Sequence, residues 1–509
     1  MHAGNNNAAL RSGYRWRILA LLFAATTINY LDRSILGVLA PTLQYQVFHW
    51  SDADFASINI AFKIAYALGL VSLGTLIDRW GTKLGYLVSL AIWSSFGLLH
   101  AAIRPAFGLI GFIAVRFGLG FGEAGNFPAA IKTVAAWFPV KERALATGIF
   151  NAGSNVGAIL APLLIPLFVL ADGSHWQLAF LITGGFSAAW MVAWGRMYQE
   201  PENHPRVSAQ ELAWIRSDRA VAKTNAPRTP VRELLQRRVT WGVSLLRFAD
   251  AAWWFYLFWG GKFLYDEFGL DLRALALPLV TIYVAADVGS IGGGAMSSWL
   301  IRRGWEAVRA RKFVMLACAL VILPVAFVTT LGTRFVVDDH FFARLRDARV
   351  SLSAVAHDQL EMLRGRSYAS ARDFRDAIKA STDHVAFAVR DENAAIAAAR
   401  SDDRYWIAVL LIALAAAGHQ AWAANMFSLI SDYVPAKSVG FVTGFSGMVG
   451  AVVGMLADFL LGRALMGSGP AGYFTAFVCA GGVYLVVLAA FHVLVPRDPY
   501  YLCSIPKPS

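Results

Sequence analysis

Cysteine and charge are both scarce in this chain. Its three cysteines, Cys318, Cys479 and Cys503, are far apart and show no ligand spacing, which argues against a disulfide frame and against a zinc site. Charged residues make up 15% of the 509 positions and hydrophobic ones 57%, where an average soluble domain is about a quarter charged. A soluble fold cannot hide that much apolar surface. No GxxxxGK[ST] phosphate loop occurs, so ATP-driven pumping has no support. No small-residue cleavage site follows the first apolar run, which continues past Asp32 and is expected to stay as the first helix.

What the chain does contain is apolar runs of about twenty residues, each long enough to cross a hydrocarbon layer of roughly 30 Å. Twelve spans are expected: 17–40, 56–77, 85–105, 108–135, 145–170, 176–197, 241–265, 275–300, 312–333, 405–430, 438–464 and 472–495. The fold class is therefore an all-α polytopic membrane protein, twelve transmembrane helices in two six-helix halves. The net charge of +12 would hint at nucleic acid in a soluble protein, but here placement matters more, and no nucleic-acid partner is expected. Arg11, Arg15 and Arg17, Arg79 and Lys83, Lys141 and Arg143, the segment 198–240, and Arg302, Arg303, Arg309, Arg311 and Lys312 fall into alternate loops, whereas 46–55 and 171–175 hold no Lys or Arg. Arg104, Arg273 and Arg463 are isolated exceptions. Positive charge gathers inside, so both termini are expected in the cytoplasm.

Four parts follow: an N-terminal half 1–197, a linker 198–240 rich in both signs of charge, a C-terminal half 241–509, and within it an insertion 335–403 between helices 9 and 10. "GTLIDRWGTK" after span two is echoed by "SSWLIRRGWEAVRARK" after span eight, an internal repeat of the kind that places a substrate cavity between two halves. The insertion has apolar residues at helical spacing and charges that nearly cancel, so short helices packed as an outer cap are expected.

Ionised groups inside a membrane cost several kcal/mol and are functional candidates by default. In "INYLDRSILG", Tyr30 and Arg33 share one helix face while Asp32 turns toward a neighbouring helix. In "RFGLGFGEAG", Arg116 and Glu123 are two turns apart, roughly 10 Å along the axis. Arginine presents a fork that grips a carboxylate, whereas an acid beside it can carry a proton. Desolvation favours the neutral acid and a guanidinium favours the ionised one; substrate on the arginine releases that hold, so binding and protonation support one another. The plain alternative is mutual neutralisation, Asp32 with Arg33 and Arg116 with Glu123. The same stretch matches G-x-G-x-x-G through Gly120, Gly122 and Gly125, but it follows a membrane-length run with no βαβ unit. Small residues for close helix approach explain it better, and no enzyme is expected.

In the second half Trp253, Tyr256 and Gly260 share a face suited to the apolar side of a sugar, although lipid packing also explains such a stripe. "HQAWAANMF" places His419, Trp422 and Asn425 near one another; Gln420 and Asn425 are candidates for hydroxyl binding, as are Asn151 and Asn155, one turn apart, while His419 is a candidate third proton site for which helix packing is the better reading. Lys63, Arg247, Asp250, Lys262, Asp287 and Asp458 also lie in or near spans, and the sequence does not separate pairs, snorkelling ends and ligands among them. Gly74, Asp78, Arg79, Gly81 and Lys83 form a structural or gating element in which Asp78 caps the next helix or pairs across to the other half.

"GTLIDRWGTK" with the six-plus-six plan resembles the major facilitator superfamily. "INYLDR", "RFGLGFGEAGNFPAAIKTVAAWFP" with "ERALATGIFNAGSNVGAILAP", and "NMFSLISDYVPAKSVGFVTGFSGMVGAVVG" resemble the anion:cation symporter family of organic-acid carriers, and "WWFYLFWGGKFLYDEFGLDLRALALPLVTIYVAADVGSIGGGAMSSWLIRRGW" its hexuronate transporter branch. The likeness covers nearly all of the chain except 335–403, which the family's short connection lacks. It implies proton symport of a hexuronate such as galacturonate or glucuronate, or of another sugar acid, through a bacterial inner membrane. It places substrate binding and proton coupling on Asp32, Arg33, Arg116 and Glu123, with Tyr30, Tyr66, Asn155 and Trp422 at cavity-lining positions. Protons are the coupling ion, with no cofactor or metal; the partners are a small organic anion and lipid, and a monomer is expected. Rival readings are a carrier of another organic anion (aldonate, glucarate, aromatic acid) and a membrane nutrient sensor that does not transport.

Overall fold

The computed structural model describes residues 13–495 apart from 41, 105–107, 170–174, 218–228, 272–273, 348–353, 381–388 and 469. Arg11, Arg273, Cys503 and most of the 171–175 loop lie outside the described residues. The first half contains α1 (Tyr14–Val38), α2 (Asp52–Trp80), α3 (Thr82–Leu99), α4 (Gly108–Glu123), α5 (Asn126–Trp137), α6 (Val140–Leu164) and α7 (Gln177–Met197). Short helices α8 (Ala209–Arg216) and α9 (Val231–Gln236) follow in the linker. The second half contains α10 (Arg238–Leu246), α11 (Asp250–Phe268), α12 (Ala276–Arg302), α13 (Ala307–Ile322), then α14 to α17 in the insertion, and α18 (Tyr405–Tyr433), α19 (Val439–Ser468) and α20 (Pro470–Leu494). Eleven helices among the described residues are long and apolar enough to cross a membrane.

Two expected spans are broken. The run 108–135, expected as one helix, divides into α4 and α5 at a turn over Ala124 and Gly125. Gly125 packs so tightly that a Cβ there would strike the Ser89 hydroxyl. The run 241–265 divides into α10, a 3-10 turn at Arg247–Ala249, and α11. Other boundaries have local causes. The Ser51 side chain accepts from Asp54 N at 3.2 Å and the Asp54 carboxylate accepts from Ser51 N at 3.0 Å, a capping box that starts α2. Gly81, at φ 86, reverses the chain between α2 and α3.

The halves meet along two pairs of helices, α2 with α19 and α6 with α12. Glycines make both crossings: a Cβ on Gly74 would collide with the Gly440 carbonyl, on Gly444 with Leu70, on Gly148 with Ser290 and on Gly294 with Ala144. Small residues let backbones approach where lipid offers no hydrophobic drive for association. The linker is bound to the first half. Glu211 of α8 accepts from the Tyr14 and Arg15 amides at 3.4 and 3.1 Å, and Arg15 also pairs with Glu142 at 3.1 Å. The acid thus sits at the positive end of α1, where the first amides lack helical partners. We call this the linker end of the bundle and the opposite one the cap end.

The insertion is a helical cap with its own core. Helices α14 (Asp339–Asp347), α15 (Ala354–Met362), α16 (Ala371–Ala380) and α17 (Val389–Ala399) surround a two-stranded antiparallel ribbon, β1 (Phe335–Val336) and β2 (Ser367–Tyr368), in which Phe335 faces Tyr368. Phe341, Leu345, Leu360, Phe374, Ile378 and Ile396 are buried together, and on α16 Ala371, Phe374 and Ile378 recur at the spacing of one helix face. The cap rests on the outer end of α11: Gly269, at φ 68, is packed under Ile396 and Ala371. Arg375 donates to the Tyr265 carbonyl at 3.1 Å, lies 3.5 Å over the Tyr265 ring and pairs with Glu392 at 3.3 Å.

Candidate functional site

The charged groups of the first half come together, with partners the linear spacing does not reveal. Arg33 donates from Nε to Glu123 Oε2 at 2.9 Å and from Nη2 to Asn29 Oδ1 at 3.4 Å. Its guanidinium is enclosed by rings, 4.6 Å from Tyr30, 4.7 Å from Tyr66 and 5.2 Å from Phe62, an aromatic seat that holds a cation without neutralising it. Arg116 lies 4.6 Å from the far side of the same cluster at Phe62, and its Nη2 donates to the Arg33 carbonyl at 3.0 Å. Its Nε and Nη1, and Glu123 Oε1, are buried with no partner. Asp32 points the other way and accepts from Trp93 Nε1 at 2.5 Å and Ser187 Oγ at 3.3 Å.

The simple neutralisation scheme is therefore not the one adopted. Glu123 is bound by the arginine of α1 rather than by that of its own helix, because two turns separate Arg116 from Glu123 and only a side chain from a neighbour bridges the gap. Asp32 is held by neutral donors, Trp93 and Ser187 among them, not by Arg33. Arg116 keeps two nitrogens, Nε and Nη1, with unused N–H groups inside the bundle. Leaving buried donors unmade costs on the order of 1–3 kcal/mol each, a cost that an anion bound there would relieve.

Across the halves, Asn151 Nδ2 donates to Gln420 Oε1 at 2.6 Å and to Ser290 Oγ at 3.1 Å, and Asn155 Nδ2 donates to Asp287 Oδ1 at 2.7 Å. In the second half Trp253 stacks on His419 at 5.3 Å, and His419 Nδ1 is 2.8 Å from the Tyr484 hydroxyl. Trp422 stands edge-on to Tyr484 at 5.2 Å with its Nε1 unpartnered. Tyr256 is buried against Phe255 and Phe477, its hydroxyl also unpartnered, and space beside Gly260 is open. Asn425 is occupied by packing: its Nδ2 donates to the Ala421 and Gly293 carbonyls at 2.9 and 3.1 Å. So Tyr30, Tyr66, Arg33, Arg116 and Glu123 form one cluster; Asn151, Asn155 and Gln420 bridge the halves; His419, Trp253 and Trp422 form a third group around Tyr484.

At the linker end Asp78 accepts from Lys132 Nζ at 2.8 Å and from the Gly440 and Phe441 amides at 3.1 and 2.7 Å, so it caps the start of α19 across the interface. Gly74 supplies the close crossing one turn away, while Arg79 is exposed and Lys83 takes part through its carbonyl, which accepts from Trp194. A second cross-half group was not anticipated. Asp432 accepts from Arg311 Nε at 2.5 Å and Arg143 Nη1 at 3.3 Å, and Arg311 Nη2 also donates to the Val140 carbonyl at 3.1 Å. Arg143 and Arg311 read in the sequence as loop charges that orient the chain. Arg247 and Asp250, paired at 3.0 Å, and Asp287 were among the charges in or near spans to which the sequence assigned no role.

A helical bundle of two halves, with buried ion pairs and polar bridges where they meet, is the build of a multi-pass membrane transporter. Comparison with known proteins agrees. The Major Facilitator Superfamily model matches residues 22–339, and the chain belongs to that superfamily; it is a transporter, not an enzyme. It is 34% identical over 317 residues to a galacturonate transporter of Dickeya chrysanthemi, covering 61% of this chain and 90% of that one. It is 33% identical over 318 residues to a hexuronate transporter of Escherichia coli (strain K12), 61% and 72% covered, and 32% over 337 residues to a probable galactarate/D-glucarate transporter of the same strain, 62% and 75% covered. Solved structures share the fold at low identity: the E. coli fucose:proton symporter (TM-score 0.61, 14% identity, 95% of this chain and 100% of that chain) and a proton:xylose symporter (TM-score 0.61, 12% identity, 95% and 96%).

Proposed function

We propose that the protein imports a sugar acid, a hexuronate such as galacturonate or glucuronate, by proton symport across the bacterial inner membrane, as a monomer with both termini in the cytoplasm. The observation that carries this reading is the Arg33–Glu123 pair beside the unused donors of Arg116. A substrate carboxylate takes the Arg116 N–H groups and competes with Glu123 for Arg33. The acid then loses the cation that keeps it ionised and takes up a proton. Asp32, buried against Trp93 and Ser187, is the second coupling acid. Tyr30 and Tyr66 shape the site, Asn155, Gln420 and the Trp253–His419–Trp422 group meet the sugar, and the Asp78 element serves as the latch of the linker end. The names of the curated relatives, carriers of galacturonate, hexuronate and galactarate or glucarate, support a sugar acid.

Proteoliposome uptake of labelled galacturonate, with and without an inward proton gradient, tests the reading. Accumulation is expected only with the gradient, and Glu123→Gln is expected to keep exchange of substrate across the membrane while losing gradient-driven accumulation. Gradient-independent uptake, or normal accumulation by the variant, would overturn the coupling scheme. If hexuronates are refused while an aldonate or aromatic acid enters, the substrate assignment is wrong and the carrier class stands.

A further inference from the structure

A further arginine lies in the second half, where that half meets the first. Arg247 lies at the 3-10 turn that breaks the seventh span. Its Nη1 pairs with Asp250 Oδ2 at 3.0 Å and its guanidinium lies 4.9 Å over Phe427, while Nε has no partner. Its side chain keeps 13% of its surface open, although the turn lies within the bundle. Its Nη2 reaches the crossing of α2 and α19: a Cβ placed on Gly447 would stand 3.2 Å from that nitrogen and 3.3 Å from Leu70 Cδ1. Leu70 is four residues beyond Tyr66 on the same face of α2, and the Tyr66 ring carries Arg33. A row therefore runs Arg33, Tyr66, Leu70, Arg247, with one helical turn of rise, about 6 Å, between its middle members.

The two ends of that row are built alike. Each arginine is matched by one acid of its own half, Glu123 for Arg33 and Asp250 for Arg247, and each end holds a buried N–H group without a partner, on Arg116 at one end and on Arg247 at the other. Each arginine also rests on aromatic rings. A monocarboxylate satisfies only one end.

We propose that Arg247 receives a second carboxylate, so that the site takes aldaric acids, sugar chains with a carboxylate at each end, and grips them from both halves. This rests on the sugar-acid reading above and, within that class, moves the preferred substrate from a hexuronate to an aldarate. The first carboxylate occupies Arg116 and Arg33; the second displaces Asp250 from Arg247. The sugar hydroxyls lie between, beside Tyr66. A ligand held at both ends draws the halves together in a way that a hexuronate, with an aldehyde or hemiacetal at its far end, does not.

The test is binding to the purified full-length protein by isothermal titration, comparing galactarate with galacturonate. Galactarate is expected to bind about tenfold or more tightly, the scale of one charge-assisted pair. In Arg247→Gln the ratio is expected to fall below about threefold, whatever the absolute loss on either acid. The double variant Arg247→Gln with Asp250→Asn removes the stranded acid and keeps the bundle neutral there; its ratio is expected to stay collapsed. Equal wild-type affinities, or a ratio that survives Arg247→Gln, would overturn the proposal while leaving the sugar-acid reading intact. Failure of the wild type to bind either acid would instead overturn the reading it rests on.

Discussion

The two ends of the bundle are fastened differently. At the linker end the halves are tied by buried charge: Asp432 of the second half to Arg143 of the first, and Asp78 of the first half to the amides that open α19, with Arg311 and Lys132 completing each group from the acid's own half. At the cap end the cross-half tie among the described ion pairs is Lys63 with Asp458 at 3.4 Å, with side chains 38% and 24% exposed. The same kind of contact has different weight in the two places. Removing one partner of a buried pair costs about 3–5 kcal/mol because the other charge is stranded, whereas an exposed pair contributes about 0–1 kcal/mol. The glycine crossings at Gly74, Gly148, Gly294 and Gly444 lie with the buried set. The linker end is thus a lock and the cap side a tie.

The largest effect is expected from Asp432→Ala, which strands two buried arginines. A single cysteine placed at Thr147, a buried residue whose hydroxyl accepts from Ser428 across the interface, is the reporter. Its reaction with a small thiol reagent should speed up about tenfold or more in the Asp432→Ala background, in a protein whose melting temperature in detergent is lower. Unchanged labelling would show that the lock does not depend on this acid. Gly148→Val is next: the added side chain would meet the Ser290 backbone, an overpacking cost of about 1–3 kcal/mol, and labelling at the same reporter should rise by a smaller factor. If it does not, the α6–α12 crossing has slack that the close approach denies.

The cap offers an intermediate test at the opposite end. Arg375→Ala removes the contact over the Tyr265 ring, the hydrogen bond to the Tyr265 carbonyl and the pair with Glu392, a loss of about 1–2 kcal/mol. Limited proteolysis within 335–403 should accelerate severalfold while the melting of the bundle stays close to wild type. A matching fall in bundle stability would mean that the cap holds α11 in place rather than resting on it.

Much of this was legible in the linear chain, and the part that was not has a physical reason. Composition and apolar runs are local properties, so the all-helical bundle follows from them. Asp78 in "GTLIDRWG" was expected to cap the next helix or pair across to the other half; it reaches the other half and caps α19 there, not the next helix α3. The glycines of "RFGLGFGEAG" were expected to admit neighbours closely, and Gly120 and Gly122 stand where a Cβ would meet Phe62 and Trp93. Pairing across the fold is not local. Nothing near Arg33 announces that its partner is Glu123, and Arg143 looks like an orienting loop charge until α18 brings Asp432 to it. The breaks at Ala124–Gly125 and Arg247–Ala249 were also missed, since an apolar run of span length hides a turn whose amides are satisfied by the helices on either side. Arg247 went unassigned for the same reason: its meaning comes from the turn it occupies and from Leu70 on a distant helix.

The smallest effect sharpens the contrast most. Lys63→Ala deletes the cap-end tie, and both side chains of that pair remain open enough for water to solvate the remaining charge. Stability should change by less than about 1 kcal/mol, and raising the ionic strength should lower the wild type's melting by no more than that, because salt can weaken only what the exposed pair contributes. The buried Asp432 group, by contrast, is shielded from salt by the packing around it. If Lys63→Ala instead destabilised the protein as much as Asp432→Ala, the two ends would be equally locked, and access to Arg116 would have to open by some other movement than the release of this tie.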